Sequence, residues 1–219
     1  VRSLVAWHPA VRIIPTRFPS INLFDRVASE DDFDALYALE AMTNPRVRNE
    51  IGEIALVPKE ERLYGPGTGP IMAAFTHLNP SGSRFSDGSY GVFYAAKDKS
   101  TAIAETSYHQ ANFMRATNER AMQLQMRAYH VEVEGRLHDI RRLPMSDPVY
   151  DPSSYAHSQA YAKELRSAGS MGIYYKSVRA EGGLCIAAFK TTVLSNCRHA
   201  SQLLYQWNGE DIVDVYEKI

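Results

Sequence analysis

The sequence predicts an α+β fold, a mixed and mainly antiparallel sheet with flanking helices, on three observations. Compact aromatic and β-branched runs alternate with stretches of helical spacing through the middle of the chain. A Gly/Pro-rich break at residues 64–70 divides a mainly helical leading region from that alternation. The closing third then offers several short strand-like runs in succession.

The elements are expected in this order. After a short extended lead, residues 22–27 read as a strand. Ser29 then caps a helix with Asp31 and Asp32 in its first turn and Phe33, Leu36 and Tyr37 on one face. Asn44-Pro45 restarts a helix. The run Tyr64-Gly65-Pro66-Gly67-Thr68-Gly69-Pro70 cannot sit inside an element and reads as a loop and candidate subdomain joint. Residues 90–96 form a strand, 98–115 a helix with Ala102, Ile103, Phe113 and Met114 at helical spacing, and 125–134 an alternating strand. Residues 154–168 form a helix closed by Gly169, and 172–178, 184–190 and 212–216 complete the sheet.

The chain has 219 residues, 45% of them hydrophobic and 22% charged, which suits one sizeable core, so a single domain over 1–219 is expected, with 1–64 as a mainly helical elaboration. The net charge of −1 supplies no overall basic field for nucleic acid or an anionic membrane, so any anion must be held by particular residues. Cys185 and Cys197 form no CxxC pair, and Cys185 lies in the apolar run Leu184-Cys185-Ile186-Ala187-Ala188-Phe189, which predicts a buried thiol. No run approaches a membrane span and the first residues do not read as a signal peptide, so the expected compartment is the cytoplasm.

Several chemistries find no motif. The glycines of 65–69 lack the last spaced glycine of a dinucleotide fingerprint, and Pro66 and Pro70 argue against a helix opening there. There is no GxSxG elbow and no Walker lysine, and the seven His show no metal-ligand spacing, so no metal is expected. What remains is polar residues set among apolar ones. Arg84 precedes the strand that carries Tyr94, Glu105 falls in the turn Ala102-Ile103-Ala104-Glu105, and Ser177 ends the strand Gly172-Ile173-Tyr174-Tyr175-Lys176. Taken singly, each has an ordinary reading: an ion-paired Arg, a core Tyr, a surface Glu.

Their order along the chain resembles a known family. Ser81-Gly82-Ser83-Arg84-Phe85, Gly91-Val92-Phe93-Tyr94-Ala95-Ala96 and Ala102-Ile103-Ala104-Glu105 resemble the front half of a RES domain. Leu165-Arg166-Ser167-Ala168-Gly169, the strand ending in Ser177-Val178-Arg179, and Gly182-Gly183-Leu184-Cys185-Ile186 resemble its rear half. The family is named for an Arg, a Glu and a Ser, here matched by Arg84, Glu105 and Ser177.

The resemblance implies a fold like that of ADP-ribosyltransferases and a toxin of a toxin–antitoxin pair acting on NAD. It would degrade NAD or move ADP-ribose onto a protein, phosphate or water. It also implies an antitoxin partner, expected to be helical with a helix-turn-helix, so that DNA contact belongs to the partner. The residue types suit that chemistry. A carboxylate at Glu105 opposes the positive charge that builds on the ribose as nicotinamide leaves. A guanidinium grips pyrophosphate, with Arg84 first, Arg26 second and Arg179 third. Tyr94 and Ser177 complete the expected NAD contacts. A reading from another class, a non-catalytic interaction module of a regulatory complex, requires Arg84, Glu105 and Ser177 to be incidental.

Overall fold

The computed structural model describes residues 1–17, 23–43 and 51–218. Seven strands form one sheet: β1 (Arg2–Pro15), β2 (Phe93–Ala96), β3 (Met122–Asp139), β4 (Gly172–Lys176), β5 (Leu184–Ala188), β6 (Leu194–Trp207) and β7 (Ile212–Lys218), in the order β1-β2-β5-β4-β3-β6-β7. Every pairing is antiparallel except β3 with β4. The long strand β1 also pairs with β3, so β1, β2, β5, β4 and β3 close on themselves while β6 and β7 extend from β3. Among the described residues four α-helices flank the sheet: α1 (Glu30–Thr43), α2 (Gly69–Thr76), α3 (Lys99–Ala116) and α4 (Ala156–Ser167). The expected α+β class is the observed one.

Alternation along the strands sends side chains to two cores. Phe93, Tyr174 and Ile186 join Phe24, Phe33, Ile71 and Phe75 on one face. On the other face Tyr175, Cys185 and Ala187 join Phe85, Ala102 and Tyr150. Cys185 is buried, as its apolar run predicts.

The leading region departs from expectation. It begins with the 14-residue strand β1, and residues 24–26, expected in a strand, form a 3-10 turn. The alternation of β1 is interrupted where its register against β3 shifts between Trp7 and Ala10. Val5 and Trp7 face one core while Val11 and Ile13 face the other, so no single period-2 pattern spans the strand. Ser29 caps α1 as expected, its Oγ accepting the Asp32 N–H at 3.2 Å. The helix expected to restart at Asn44-Pro45 lies outside the described residues.

The Gly/Pro run is a loop up to Thr68, but α2 opens on Gly69-Pro70, where Pro66 and Pro70 are expected to interfere with a helix start. Proline is tolerated in a first helical turn, where its missing N–H has no intrahelical partner to lose. The Gly69 N–H there is taken by Asp25 Oδ1 at 2.7 Å. Strand β6 is also additional to the expected set. Its residues 195–202 are largely exposed and polar, and offer no apolar period.

Candidate active site

Arg84 sits at the corner of a tight turn in which the Ser83 N–H donates to Ser86 O at 2.7 Å. That turn is fixed from three sides. The Tyr94 hydroxyl accepts the Phe85 N–H at 2.9 Å and bonds Ser83 Oγ at 2.8 Å. Tyr90 Oη donates to Phe85 O at 2.8 Å, and on α4 Ser158 Oγ donates to Arg84 O at 2.6 Å. The Arg84 guanidinium therefore leaves a rigid base. Its Nη1 donates to Val149 O at 3.3 Å and Asp151 O at 3.0 Å, and its centre lies 4.7 Å from the Tyr155 ring centroid. Among the described residues it has no carboxylate partner, and Nε and Nη2 make no hydrogen bond.

Glu105 projects from α3, whose start is set by Asp98. The Asp98 carboxylate accepts the Thr101 N–H at 2.8 Å, as an N-cap does. Opposite this first turn lies the loop after β4, and Gly183 lets the two approach. A Cβ at 183 would fall 2.7 Å from Thr101 Oγ1. The approach brings Ser177 Oγ to Glu105 Oε1, to which it donates at 2.6 Å, while the Val178 N–H donates to the same oxygen at 3.3 Å. Oε2 accepts no hydrogen bond among the described residues. One carboxylate oxygen is thus anchored and the other is open to chemistry.

Ser177 has no capacity left for a ligand. Besides donating to Glu105, its oxygen accepts the N–H groups of Arg179 at 3.0 Å and Ala180 at 2.9 Å. This differs from the expected role as an NAD contact: Ser177 orients Glu105 and closes the loop. Ser177→Ala is expected to lower stability by about 1 to 3 kcal/mol, since two N–H groups lose their acceptor. Thermal melting checks this; an unchanged melting point would return Ser177 to the substrate. Tyr94 is likewise a brace for the Arg84 turn, and its hydroxyl is engaged there. Burial pushes its pKa upward, so it stays protonated.

The charges of Arg84 and Glu105 meet in one neighbourhood. Both act on His109, on the Tyr175 hydroxyl and on the Cys185 thiol. His109 follows Glu105 by one helical turn and is exposed at its surface, yet enough protein surrounds it that desolvation lowers its pKa. Glu105 opposes this shift, while Arg179 and Arg84 add to it. The neutral imidazole is therefore favoured. Arg179 is the third charge that acts on His109. Its guanidinium centre is 3.3 Å from the Tyr108 ring centroid, and Nη2 donates to Pro152 O.

Arg26 is not brought to this cluster. It pairs with Glu40 at 2.5 Å, more than half exposed at 57%, next to Phe24 in the core of the opposite sheet face. Tyr108, His109 and Tyr155 are the site residues that sequence reasoning missed. The first two were within reach of it, because positions three and four residues beyond Glu105 share its helix face. Two cavities, of about 210 Å³ against Tyr90 and Arg166 and about 340 Å³ against Phe33 and Tyr37, lie apart from this cluster.

Comparison with known proteins agrees with the motif order. Residues 60–208 match the family model of the RES domain, a span that contains Arg84, Glu105 and Ser177 but not Arg26. The chain is 31% identical over 208 residues to y4oC of Sinorhizobium fredii, described as an uncharacterized protein, covering 94% of this chain and 85% of that one. Among solved structures, a chain of the M. tuberculosis MbcT-MbcA toxin-antitoxin complex aligns over 95% of this chain and 87% of its own, at 10% identity and a TM-score of 0.47. With the matched span covering most of the sequence, and its Arg, Glu and Ser gathered on one face of the sheet, the chain belongs to the RES domain family.

Proposed function

We propose that this chain is the toxin of a toxin–antitoxin pair, acting in the cytoplasm, and that it cleaves the nicotinamide–ribose bond of NAD. The observation that carries the reading is Glu105. Its carboxylate is anchored through one oxygen and free of hydrogen bonds among the described residues at the other, and its charge acts together with those of Arg84 and Arg179 on His109. NAD brings a doubly negative pyrophosphate for the guanidiniums and a ribose that turns cationic as nicotinamide leaves for the carboxylate.

In the reaction the bond from ribose C1′ to the nicotinamide nitrogen breaks, and its electron pair leaves with nicotinamide, which becomes neutral. The ribose carries the positive charge in the transition state, opposed by the open oxygen of Glu105. Arg84 holds the pyrophosphate through Nε and Nη2, the donors not committed to Val149 and Asp151. An acceptor oxygen from a protein side chain, phosphate or water then adds to C1′ and releases its proton. Protein ADP-ribosylation, phosphorolysis and hydrolysis share every step up to that addition. No metal enters this scheme.

The test is incubation with NAD and measurement of free nicotinamide, with label on the adenylate half to follow ADP-ribose. Release is expected, and the labelled product names the acceptor. No release from folded protein would favour the binding module instead.

An enzyme drawing on the shared NAD pool needs external restraint, which implies a helical antitoxin that covers Arg84 and Glu105 and carries its own helix-turn-helix for DNA. Expression of this chain alone in bacteria is expected to lower cellular NAD within a generation and arrest growth, while Glu105→Gln is tolerated. Sustained NAD with soluble, folded wild-type protein present would overturn the toxin assignment.

A further inference from the structure

We infer that the face of Tyr108 is the platform on which the nicotinamide ring of NAD stacks, in the place the Arg179 guanidinium holds in this structure. The inference rests on the NAD-cleaving reading and assigns a residue to it that the family's Arg, Glu and Ser do not include.

Three observations support it. First, Tyr108 lies three residues beyond Glu105 on α3, so the two side chains share a helix face. The bond to be broken joins nicotinamide to C1′, so whatever holds the ring must adjoin the carboxylate that faces C1′. Second, the Tyr108 face already carries a flat cation, the Arg179 guanidinium, 3.3 Å from its centroid. The nicotinamide of NAD is also a flat cation, and the negative face of a tyrosine ring attracts both for the same reason. Third, Arg179 is poorly provided for where it lies. Nη2 donates to Pro152 O, Nε is shielded from solvent without an acceptor, and no carboxylate pairs with the guanidinium among the described residues. A guanidinium held by a ring face and a carbonyl is displaced at small cost, and a pyrophosphate offers it better acceptors.

The platform also separates substrate from product. Once the bond breaks, nicotinamide is neutral and loses the cation–π part of its attraction to Tyr108, which favours its departure. The hydroxyl of Tyr108, donating to Pro152 O at 3.2 Å, fixes the ring without taking part.

The experiment compares NAD with NADH, whose dihydronicotinamide is neutral. Binding of each is measured calorimetrically to Glu105→Gln protein, in which turnover of NAD is slowed enough for binding to be read, with and without a second change at Tyr108. Tyr108→Leu is expected to weaken NAD by roughly threefold to thirtyfold and NADH much less, collapsing the NAD/NADH affinity ratio. Tyr108→Phe, which keeps the ring face and loses the Pro152 contact, is expected to keep the ratio. Should Tyr108→Leu not fold, Tyr108→Gln takes its place. An unchanged ratio in the folded non-aromatic variant would overturn the inference while leaving NAD cleavage intact. A purely structural Tyr108 would lower the melting point in both variants and weaken both ligands alike. Failure of the wild-type protein to release nicotinamide would instead remove the NAD reading, and this inference with it.

Discussion

Glu105→Gln is expected to fold as the wild type does, bind NAD, and release nicotinamide about 10² to 10³ more slowly, a loss of roughly 3 to 4 kcal/mol of transition-state stabilisation. The amide preserves shape, and its carbonyl can still accept from Ser177 Oγ and the Val178 N–H, which now meet Oε1 at 2.6 and 3.3 Å. What is removed is the negative charge at the open oxygen. Since NAD reaches that charge fully only as C1′ becomes cationic, the loss should fall on kcat and leave KM nearly unchanged. Steady-state kinetics with a melting curve decides it. Turnover near wild type, from folded protein, would mean that Glu105 serves only to tie α3 to the Ser177 loop.

How much of this site was legible depends on what carries each residue. Arg84, Glu105 and Ser177 stand in short motifs whose order survives in the sequence, and the structure brings all three to one face of the sheet. Their local roles were less legible. Ser177 is written as a lone serine after a strand, and nothing in the sequence tells that Arg179 and Ala180 will turn their N–H groups back onto its oxygen. Tyr94 reads as an aromatic near an arginine. Only the fold reveals that its hydroxyl grips both sides of residue 84, a contact across nine to eleven positions of chain.

The same limit explains the misplaced elements. In β3 buried residues sit two apart in each half, Met126 and Ala128 against one core and Tyr129, Val131 and Val133 against the other, so a period-2 signal survives. In β1 the register shift between Trp7 and Ala10 exchanges faces midway, and in β6 the exposed stretch carries no apolar alternation, so the signal cancels or is missing. Arg26 rests on the N-terminal end of the family resemblance, which lies before the matched span 60–208. Its surroundings place it with Glu40 on the far side of the sheet, a partnership that depends on how α1 packs rather than on any local pattern.

Arg84→Ala is expected to raise the KM for NAD by roughly tenfold to a hundredfold, the size of a charge-assisted contact of about 1.5 to 3 kcal/mol. It should also lower the melting point, because the carbonyls of Val149 and Asp151 lose the donor that reaches them at 3.3 and 3.0 Å. Arg84→Lys separates the two effects. An ammonium is a point charge and cannot serve the carbonyls and two phosphate oxygens at once, whereas the planar guanidinium has donors on both edges. Lysine should therefore restore much of the stability and little of the affinity. Arg26→Ala supplies the contrast: an exposed ion pair with Glu40 is worth about 0 to 1 kcal/mol, and its loss should move neither KM nor kcat. If Arg84→Lys instead recovers wild-type KM along with stability, the guanidinium is a brace for residues 149–151 and the pyrophosphate must be held elsewhere. Arg179 would then be the other guanidinium that acts on His109 beside Glu105, and Arg179→Ala should raise the KM by the amount expected here of Arg84→Ala.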